Sequence, residues 1–323
     1  MNLGKVIFID SVHSILWERL TKSGWICEDY TKTKSSEIFK KLHKYSGIVI
    51  RSRFELNAEI LSTLHNLKFI ARAGSGLENI DTKFCQRKNI QVFNSPEGNR
   101  DALAEHTLGM LLMLQNHLKR ADLEVRKGVW KRAENRGHEL KGKTIGLIGY
   151  GVMAKAFAQR LSGFGVHLIA FDKYKQNYSD TITKEVSLDT LLKKSDVISI
   201  HTNYLPENKY IIDAHFIEQV EKPFVLLNTA RGFNVNTEDL VSGLKSGKII
   251  GACLDVLEYE STSFESVSHL QNRSALEYLK KSSNVVLSPH IAGWTHESYF
   301  KLSNVLAEKI ENWINLEVLG SEI

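Results

Sequence analysis

The 323-residue sequence lacks the features of a disulfide-rich, membrane-spanning or nucleic-acid-binding protein. Its three cysteines, Cys27, Cys85 and Cys253, are an odd number without metal-ligand spacing, which favours free thiols in a reducing cytoplasm and predicts no metal centre. No apolar run is long enough to cross a bilayer, and the N-terminus does not fit a signal peptide. The formal charge of +5 is spread along the chain, so nucleic acid is not an expected partner.

The pattern of the chain predicts two α/β domains. Short β-rich runs alternate with amphipathic segments before residue 95 and again after residue 143, which is typical of two parallel, doubly wound sheets. We expect a substrate domain from residues 1–97 and 291–323, with a Rossmann-like dinucleotide domain, residues 98–290, inserted into it. We also expect one long helix over 100–127 and a final helix over 294–316 that packs on the first domain.

The segment from Lys143 to Ala154 has the pattern of an apolar strand that is followed by G-x-G-x-x-A and the start of a helix. Gly149 permits the tight turn, Gly151 lets the backbone approach a pyrophosphate, and Ala154 is small where helix meets strand. The helix start at Val152 and Met153 would offer free N–H groups to phosphate. This pattern predicts a bound dinucleotide.

An acidic residue follows the next predicted strand and bears on the choice of dinucleotide. Asp172 lies twenty-one residues after Gly151, where a carboxylate accepts hydrogen bonds from the adenosine ribose. Its charge would repel the 2′-phosphate of NADP, so NAD is the expected cofactor, although Lys173 and Lys175 would soften that repulsion.

Three titratable or charged residues follow strands in the second domain, at the sheet edge where ligands of open α/β sheets gather. Arg231 follows the strand over 224–228, Glu260 lies beyond the strand over 249–255, and His290 follows the strand over 285–287. Taken singly, each has an ordinary structural explanation, as an ion pair, a solvated loop residue or a strand-end histidine. Their joint placement favours a catalytic set.

The order Asn-Thr-Ala-Arg-Gly at 228–232, Asp-Val-x-x-x-Glu at 255–260 and Pro-His at 289–290 resembles the D-isomer-specific 2-hydroxyacid dehydrogenases, the family that includes D-3-phosphoglycerate dehydrogenase. The resemblance covers nearly the whole chain and implies an NAD-dependent enzyme, a homodimer, and a catalytic triad of Arg231, Glu260 and His290. The implied cofactor-binding residues are Gly149, Gly151, Val152, Met153, Asp172, His201, Thr202, Thr229, Ala230, Asp255, Ala292 and Gly293. The implied substrate-binding residues are Arg51, Ser52, Arg72, Gly74, Ser75, Gly76 and Asn99.

The chemistry of a 2-hydroxy acid oxidation suits these residue types. His290 would take the hydroxyl proton while hydride leaves the same carbon, and would return it in reduction. Glu260 would orient the imidazole, and Arg231 would hold the substrate carboxylate in a planar fork. Asn99 has an equally good interpretation as a helix N-cap.

Arg51 and Arg72 bear on the substrate. Two guanidinium groups beyond Arg231 exceed what a small monoanion requires, whereas a phosphate would use both, so we expect D-3-phosphoglycerate ahead of glyoxylate or hydroxypyruvate. Pairing with Glu55 or Glu78 is the alternative for either arginine.

Some features depart from the family pattern. Asn203 and Ser261 stand where proline is common, and residues 261–284 form a longer segment than usual, with a short helix expected over 275–281. We expect no C-terminal regulatory domain and hence no feedback inhibition by serine there. A non-catalytic NADH-sensing adaptor is the alternative from another functional class, since corepressors share this architecture. A metal-dependent or nucleophilic enzyme is disfavoured, because neither ligand spacing nor a nucleophile elbow is present.

Overall fold

The computed structural model describes residues 3–260 and 274–320, with side chains to residue 316. It divides into two compact units: residues 3–99 and 294–320 form the first, and residues 100–260 and 274–293 the second. The part of the predicted insertion from 261 to 273 lies outside the described residues.

The first unit is built on a five-stranded parallel sheet of order β2-β1-β3-β4-β5. Alternate residues of its first strand and of the position that follows it join different apolar clusters, Val6 and Phe8 in one and Ile7 and Ile9 in the other, so both faces of the sheet are covered. The last helix packs Leu306 into the same cluster as Val6. The elements are β1 Gly4–Phe8, α1 Ser14–Lys22, β2 Trp25–Asp29, α2 Ser35–Phe39, β3 Gly47–Ile50, α3 Ala58–Ser62, β4 Phe69–Arg72, α4 Thr82–Arg87, β5 Gln91–Asn94 and, at the C-terminus, α12 His296–Gly320.

The second unit contains a seven-stranded parallel sheet of order β12-β11-β10-β9-β6-β7-β8. The strand order reverses between the adjacent strands β6 and β9, which is the switch point where Rossmann folds bind ligands. The elements are α5 Pro96–Gln115, α6 Leu118–Arg126, β6 Thr144–Ile148, α7 Val152–Leu161, β7 His167–Phe171, β8 Thr183–Glu185, α8 Leu188–Lys194, β9 Val197–Ile200, α9 Ala214–Gln219, β10 Phe224–Asn228, α10 Thr237–Ser246, β11 Ile249–Leu254, α11 Ser274–Lys281 and β12 Val285–Leu287. The boundary between the units falls after Asn99, inside α5.

The prediction of one helix over residues 100–127 is wrong. The segment forms α5 and α6, separated at His117, which adopts a left-handed conformation with φ of 50°. The carbonyl of Gln115 accepts a hydrogen bond from the N–H of His138 at 3.0 Å, and a Cβ on Gly137 would lie 2.7 Å from the same carbonyl oxygen. This tertiary contact uses the acceptor that would continue the helix. The helix predicted over 275–281 is confirmed as α11.

No helix within residues 3–260 and 274–320 is long and apolar enough to cross a membrane.

Candidate active site

The carboxyl ends of the strands of the second sheet form one edge, and the predicted cofactor and catalytic residues follow these ends. Neighbouring strands lie about 4.8 Å apart, so the edge from β7 to β12 spans roughly 24 Å. From one side to the other, the edge carries Asp172 after β7, Gly149 and Gly151 after β6, His201 and Thr202 after β9, Thr229 to Arg231 after β10, Asp255 and Glu260 after β11, and His290 after β12.

The turn after β6 needs its first glycine. Gly149 has a φ of +85°, and a Cβ there would lie 2.9 Å from the carbonyl oxygen of His201. Gly151, which has no side chain to cap the helix, is the N-cap of α7. Apart from its chain neighbours, no described residue has an atom within 4 Å of where a Cβ on Gly151 would lie. Val152 and Met153 begin the helix, so their N–H groups belong to its positive end. The turn therefore leaves open space beside an uncapped helix N-terminus.

Asp172 is held in place by three backbone N–H groups. One oxygen accepts from Tyr150 at 2.8 Å, and the other accepts from Tyr174 at 3.0 Å and from Lys175 at 3.1 Å. Burial alone would raise the pKa of Asp172, but these hydrogen bonds and the Lys175 charge together lower it below the usual value. The carboxylate is therefore ionised at neutral pH and retains lone pairs for ribose hydroxyls.

A cavity of about 510 Å³ lies between the ends of β6, β7 and β9, lined by Gly149, Gly151, Asp172, His201 and Thr202 among others. Burial lowers the pKa of His201 to about 3, so this imidazole is neutral, and its Nε2 is 2.9 Å from Ser199 Oγ. The hydroxyl of Thr202 is buried and finds no hydrogen-bond partner within the described residues. The open space at Gly151, the orphaned hydroxyl and the ionised Asp172 all fit the phosphates and ribose of a dinucleotide.

The structure brings Glu260 and His290 into direct contact. Glu260 Oε2 lies 2.6 Å from His290 Nδ1, and Glu260 Oε1 accepts from the N–H of Leu257 at 2.5 Å. Both side chains are only partly exposed. His290 has a φ of 55°, a left-handed conformation that costs about 1–3 kcal/mol in a non-glycine residue and persists only where the surrounding structure fixes it. With Nδ1–H donated to the carboxylate, Nε2 is the ring nitrogen that suits proton exchange with a substrate.

Arg231 is presented by a loop that Asn228 fixes. The buried Asn228 side chain donates to the carbonyl of Arg231 at 2.9 Å and accepts from the N–H of Ala230 at 3.1 Å. The Arg231 guanidinium donates to the Ala230 carbonyl at 2.7 Å, and Thr229 Oγ1 lies 3.0 Å from Thr107 Oγ1. Asn228 was not among the predicted site residues, although it begins the Asn-Thr-Ala-Arg-Gly motif at 228–232, and that motif was the signal that could have identified it.

The residue after Arg231 must be glycine. A Cβ on Gly232 would lie 1.9 Å from the carbonyl oxygen of Leu257, in the loop that leads to Glu260. We expect Gly232→Ala to lower the free energy of unfolding by about 3 kcal/mol, measured by urea-induced unfolding. Gly163→Ala is the control, because, apart from its chain neighbours and nearby helix backbone, no described residue has an atom within 4 Å of its Cβ position. Equal losses in the two variants would contradict this packing argument.

Asp255 holds the loop that carries His290. Its Oδ1 accepts from Ser288 Oγ at 2.6 Å and from the N–H of Ile291 at 2.9 Å, and its Oδ2 accepts from the N–H of Ala292 at 2.8 Å. Burial would raise the pKa of Asp255, but hydrogen bonds, first that of His106, lower it overall. Asp255 is one of the implied cofactor-binding residues, and the structure shows its oxygens directed at this loop. Ala292 is buried, and Gly293 ends the unit.

The predicted substrate residues lie in the first unit. The Arg51 guanidinium lies 4.3 Å from the ring centroid of Trp294, and Arg72, which is buried, donates through Nε to the Arg51 carbonyl at 3.2 Å. A Cβ on Gly74 would lie 1.7 Å from an Arg72 nitrogen, so a larger residue there would displace the end of that side chain. The carbonyl of Ser75 accepts from Asn94 at 2.7 Å. Ser52 and Gly76 lie in the segments after β3 and β4.

The N-cap interpretation of Asn99 is wrong. Helix α5 begins at Pro96, three residues earlier, so Asn99 lies within its first turn. Its Oδ1 is buried and has no hydrogen-bond partner among the described residues. The substrate-binding interpretation of Asn99 stays a prediction.

Comparison with known proteins gives consistent results. Residues 108–292 match the family described as D-isomer specific 2-hydroxyacid dehydrogenase, NAD binding domain. The chain is 33% identical to D-3-phosphoglycerate dehydrogenase of Archaeoglobus fulgidus, over 95% of this chain and 57% of that protein. It is 35% identical to hydroxypyruvate reductase of Thermotoga maritima, over 86% of this chain and 87% of that protein. The chain thus spans little more than half the length of the first of these relatives.

The fold is shared with a solved structure. The crystal structure of D-lactate dehydrogenase from Aquifex aeolicus, complexed with NAD and lactic acid, matches with a TM-score of 0.83 at 28% identity, over 98% of this chain and 96% of that chain. This confirms the predicted fold class of two parallel-sheet α/β domains, and the family match confirms NAD as the cofactor. The chain belongs to the D-isomer specific 2-hydroxyacid dehydrogenase family.

Proposed function

We propose that this protein is an NAD-dependent dehydrogenase that interconverts D-2-hydroxy acids and 2-oxo acids, with D-3-phosphoglycerate and 3-phosphohydroxypyruvate as its substrate pair. The observation that carries the reaction class is the 2.6 Å contact between Glu260 and His290, on the same sheet edge as the Gly149 turn. A paired imidazole beside a dinucleotide turn suits proton transfer coupled to hydride transfer.

Each catalytic side chain has one task in this proposal. NADH supplies the hydride for the 2-oxo carbon when it is bound. His290 gives a proton from Nε2 to the carbonyl oxygen, and Glu260 keeps Nδ1 facing away from the substrate. Arg231 binds the carboxylate of the substrate with its planar fork and stabilises the oxygen on which charge develops.

The substrate proposal rests on charge. The Arg51 guanidinium stacks on Trp294, and the Arg72 guanidinium donates a hydrogen bond to the Arg51 carbonyl. The first unit therefore holds two guanidinium groups in fixed positions. A phosphate, with a charge of about −2, accepts from both more favourably than a small uncharged group would. By this proposal the first unit is the substrate domain and the second the NAD domain.

The test compares kcat/KM for 3-phosphohydroxypyruvate and for hydroxypyruvate. We expect a preference of about a hundredfold for the phosphorylated acid, about 2.7 kcal/mol of discrimination. Arg51→Leu should remove most of it, whereas the control Arg87→Leu, which removes a similar cation–π contact with Phe84, should not. Equal rates would favour a glyoxylate or hydroxypyruvate reductase. Absence of turnover on any 2-oxo acid would favour the NADH-sensing adaptor.

We also propose a homodimer in the cytoplasm. Helix α6 has no buried residue, and Leu118, Val125 and the nearby Trp130 are exposed, which suits a surface covered by a second copy. The three cysteines are free thiols, as a reducing compartment would keep them. Sedimentation should give twice the 36.6 kDa chain mass, and Val125→Glu should shift it to the monomer. A monomeric parent protein would contradict the dimer.

A further inference from the structure

The loop that carries His290 is held in a strained conformation by one residue, Asp255. Asp255 accepts from the N–H groups of Ile291 and Ala292, and its own carbonyl accepts from the N–H of His290 at 2.7 Å. These three hydrogen bonds bracket the residue whose φ is 55°. Left-handed backbone in a non-glycine residue persists only where its surroundings fix it, so this clamp determines where the imidazole lies.

The clamp is itself oriented by two side chains that no catalytic step uses. Ser288 Oγ donates to Asp255 Oδ1 at 2.6 Å, and His106 Nε2 lies 2.9 Å from Ser288 Oγ and 3.5 Å from Asp255 Oδ1. Since the serine proton goes to the carboxylate, the serine lone pair accepts from His106 Nε2–H. The result is a chain of donors from helix α5 through Ser288 to Asp255.

The Asp255 carboxylate is buried, with 1% of its side chain exposed, and it accepts from Ser288 Oγ and from the N–H groups of Ile291 and Ala292. Its hydrogen-bonding capacity is therefore directed at the His290 loop. Fixed donors set the plane of the Asp255 carboxylate, and this plane fixes the direction of the hydrogen bonds from the two loop N–H groups. A rotation of the plane would displace His290 from Glu260.

We infer that Ser288 and His106 are positioning residues, which orient Asp255 and through it hold His290 against Glu260 in the geometry for proton transfer. The inference rests on the proposed function for its kinetic consequence, and on the hydrogen bonds alone for its structural consequence. Displacement of a reacting group by a fraction of an ångström lowers the rate of the chemical step without weakening cofactor binding.

The kinetic experiment uses Ser288→Ala, His106→Leu and His106→Gln in the full chain. Ser288→Ala and His106→Leu should lower kcat about tenfold, raise the isotope effect with 4-deuterated NADH, and leave the Kd for NADH within about twofold. His106→Gln keeps an N–H donor and should recover most of the loss. Ser195→Ala is the matched control, because it also loses a buried hydroxyl hydrogen bond, to the Leu191 carbonyl at 2.7 Å, but at the amino end of β9.

The isotope effect separates positioning from simple destabilisation. A variant that is merely less stable loses active molecules, so its kcat per active site and its isotope effect stay unchanged while its melting temperature falls. That pattern, or equal effects of His106→Leu and His106→Gln, or a wild-type kcat in Ser288→Ala, would overturn the inference.

A second readout does not need turnover. Proton NMR should show a downfield resonance for the His290 Nδ1 proton shared with Glu260, assigned by its absence in His290→Gln. We expect the resonance to persist in Ser195→Ala and to shift or broaden in Ser288→Ala and His106→Leu. If the wild-type protein turns over no 2-oxo acid but the resonance responds in this way, the proposed function fails and the positioning role stands. An unchanged resonance in both variants would refute the positioning role.

Discussion

His290→Gln should lower kcat for reduction of a 2-oxo acid by a factor on the order of 10² to 10⁴, the usual contribution of general acid–base catalysis. Glutamine fills a similar volume and donates a hydrogen bond, but it cannot deliver a proton to the carbonyl oxygen. The Kd of the His290→Gln variant for NADH should stay within about twofold of the parent value, because the cofactor cavity lies at the ends of β6, β7 and β9. Stopped-flow absorbance at the NADH band and fluorescence titration measure the two quantities.

His167→Gln is the control for this substitution. His167 begins β7, at the amino end of the strand and away from the edge that carries the candidate site, and it is exposed. The kcat of the His167→Gln variant should equal that of the parent protein. Turnover within about threefold of the parent in His290→Gln would remove His290 from the mechanism, and the Glu260 contact would then have a structural role only.

The parts of the fold that could be predicted are those that local chemistry determines. The Gly149 turn can be predicted from the sequence, because a positive φ, a close backbone approach and a helix start each require a particular type of residue within a few positions. The break at His117 could not be predicted, because it depends on His138, which lies twenty-one residues after His117 and donates its N–H to the Gln115 carbonyl. Strand β8, Thr183–Glu185, was not predicted, because its three residues are all polar and show no alternation of apolar and polar side chains.

The candidate site shows the same division. Glu260 and His290 were placed together by their positions after neighbouring strands, and the structure brings them to 2.6 Å. The support beneath them was not visible in sequence, because Ser288 and His106 are separated by 182 positions and meet only in the fold. A buried polar residue signals its role through its partners, and a single sequence contains no information about which partners those are.

Arg231→Lys should lower kcat/KM by about a hundredfold or more, although it keeps the positive charge. The Asn228 side chain fixes the loop, and the hydrogen bond from the guanidinium to the Ala230 carbonyl orients the guanidinium plane. A planar fork binds a carboxylate through two parallel hydrogen bonds, whereas a lysine ammonium is a point charge on a flexible stem. The loss should appear in both KM and kcat, because the same group binds the substrate carboxylate and stabilises charge in the transition state.

The control for this variant is Arg160→Lys, which makes the same chemical change in the same unit at an ion pair with Asp101. Its kcat/KM should match that of the parent, since a partly exposed ion pair contributes about 1 kcal/mol or less to stability and nothing to the site. If Arg231→Lys were as active as Arg160→Lys, charge alone would suffice at this position. The planar fork would then not be the basis of substrate binding, and the carboxylate would have to be held elsewhere. Among the implied substrate-binding residues, the backbone N–H groups of Ser75 and Gly76 would be the candidates, since the N–H of Gly74 already donates to the Arg72 carbonyl at 2.9 Å.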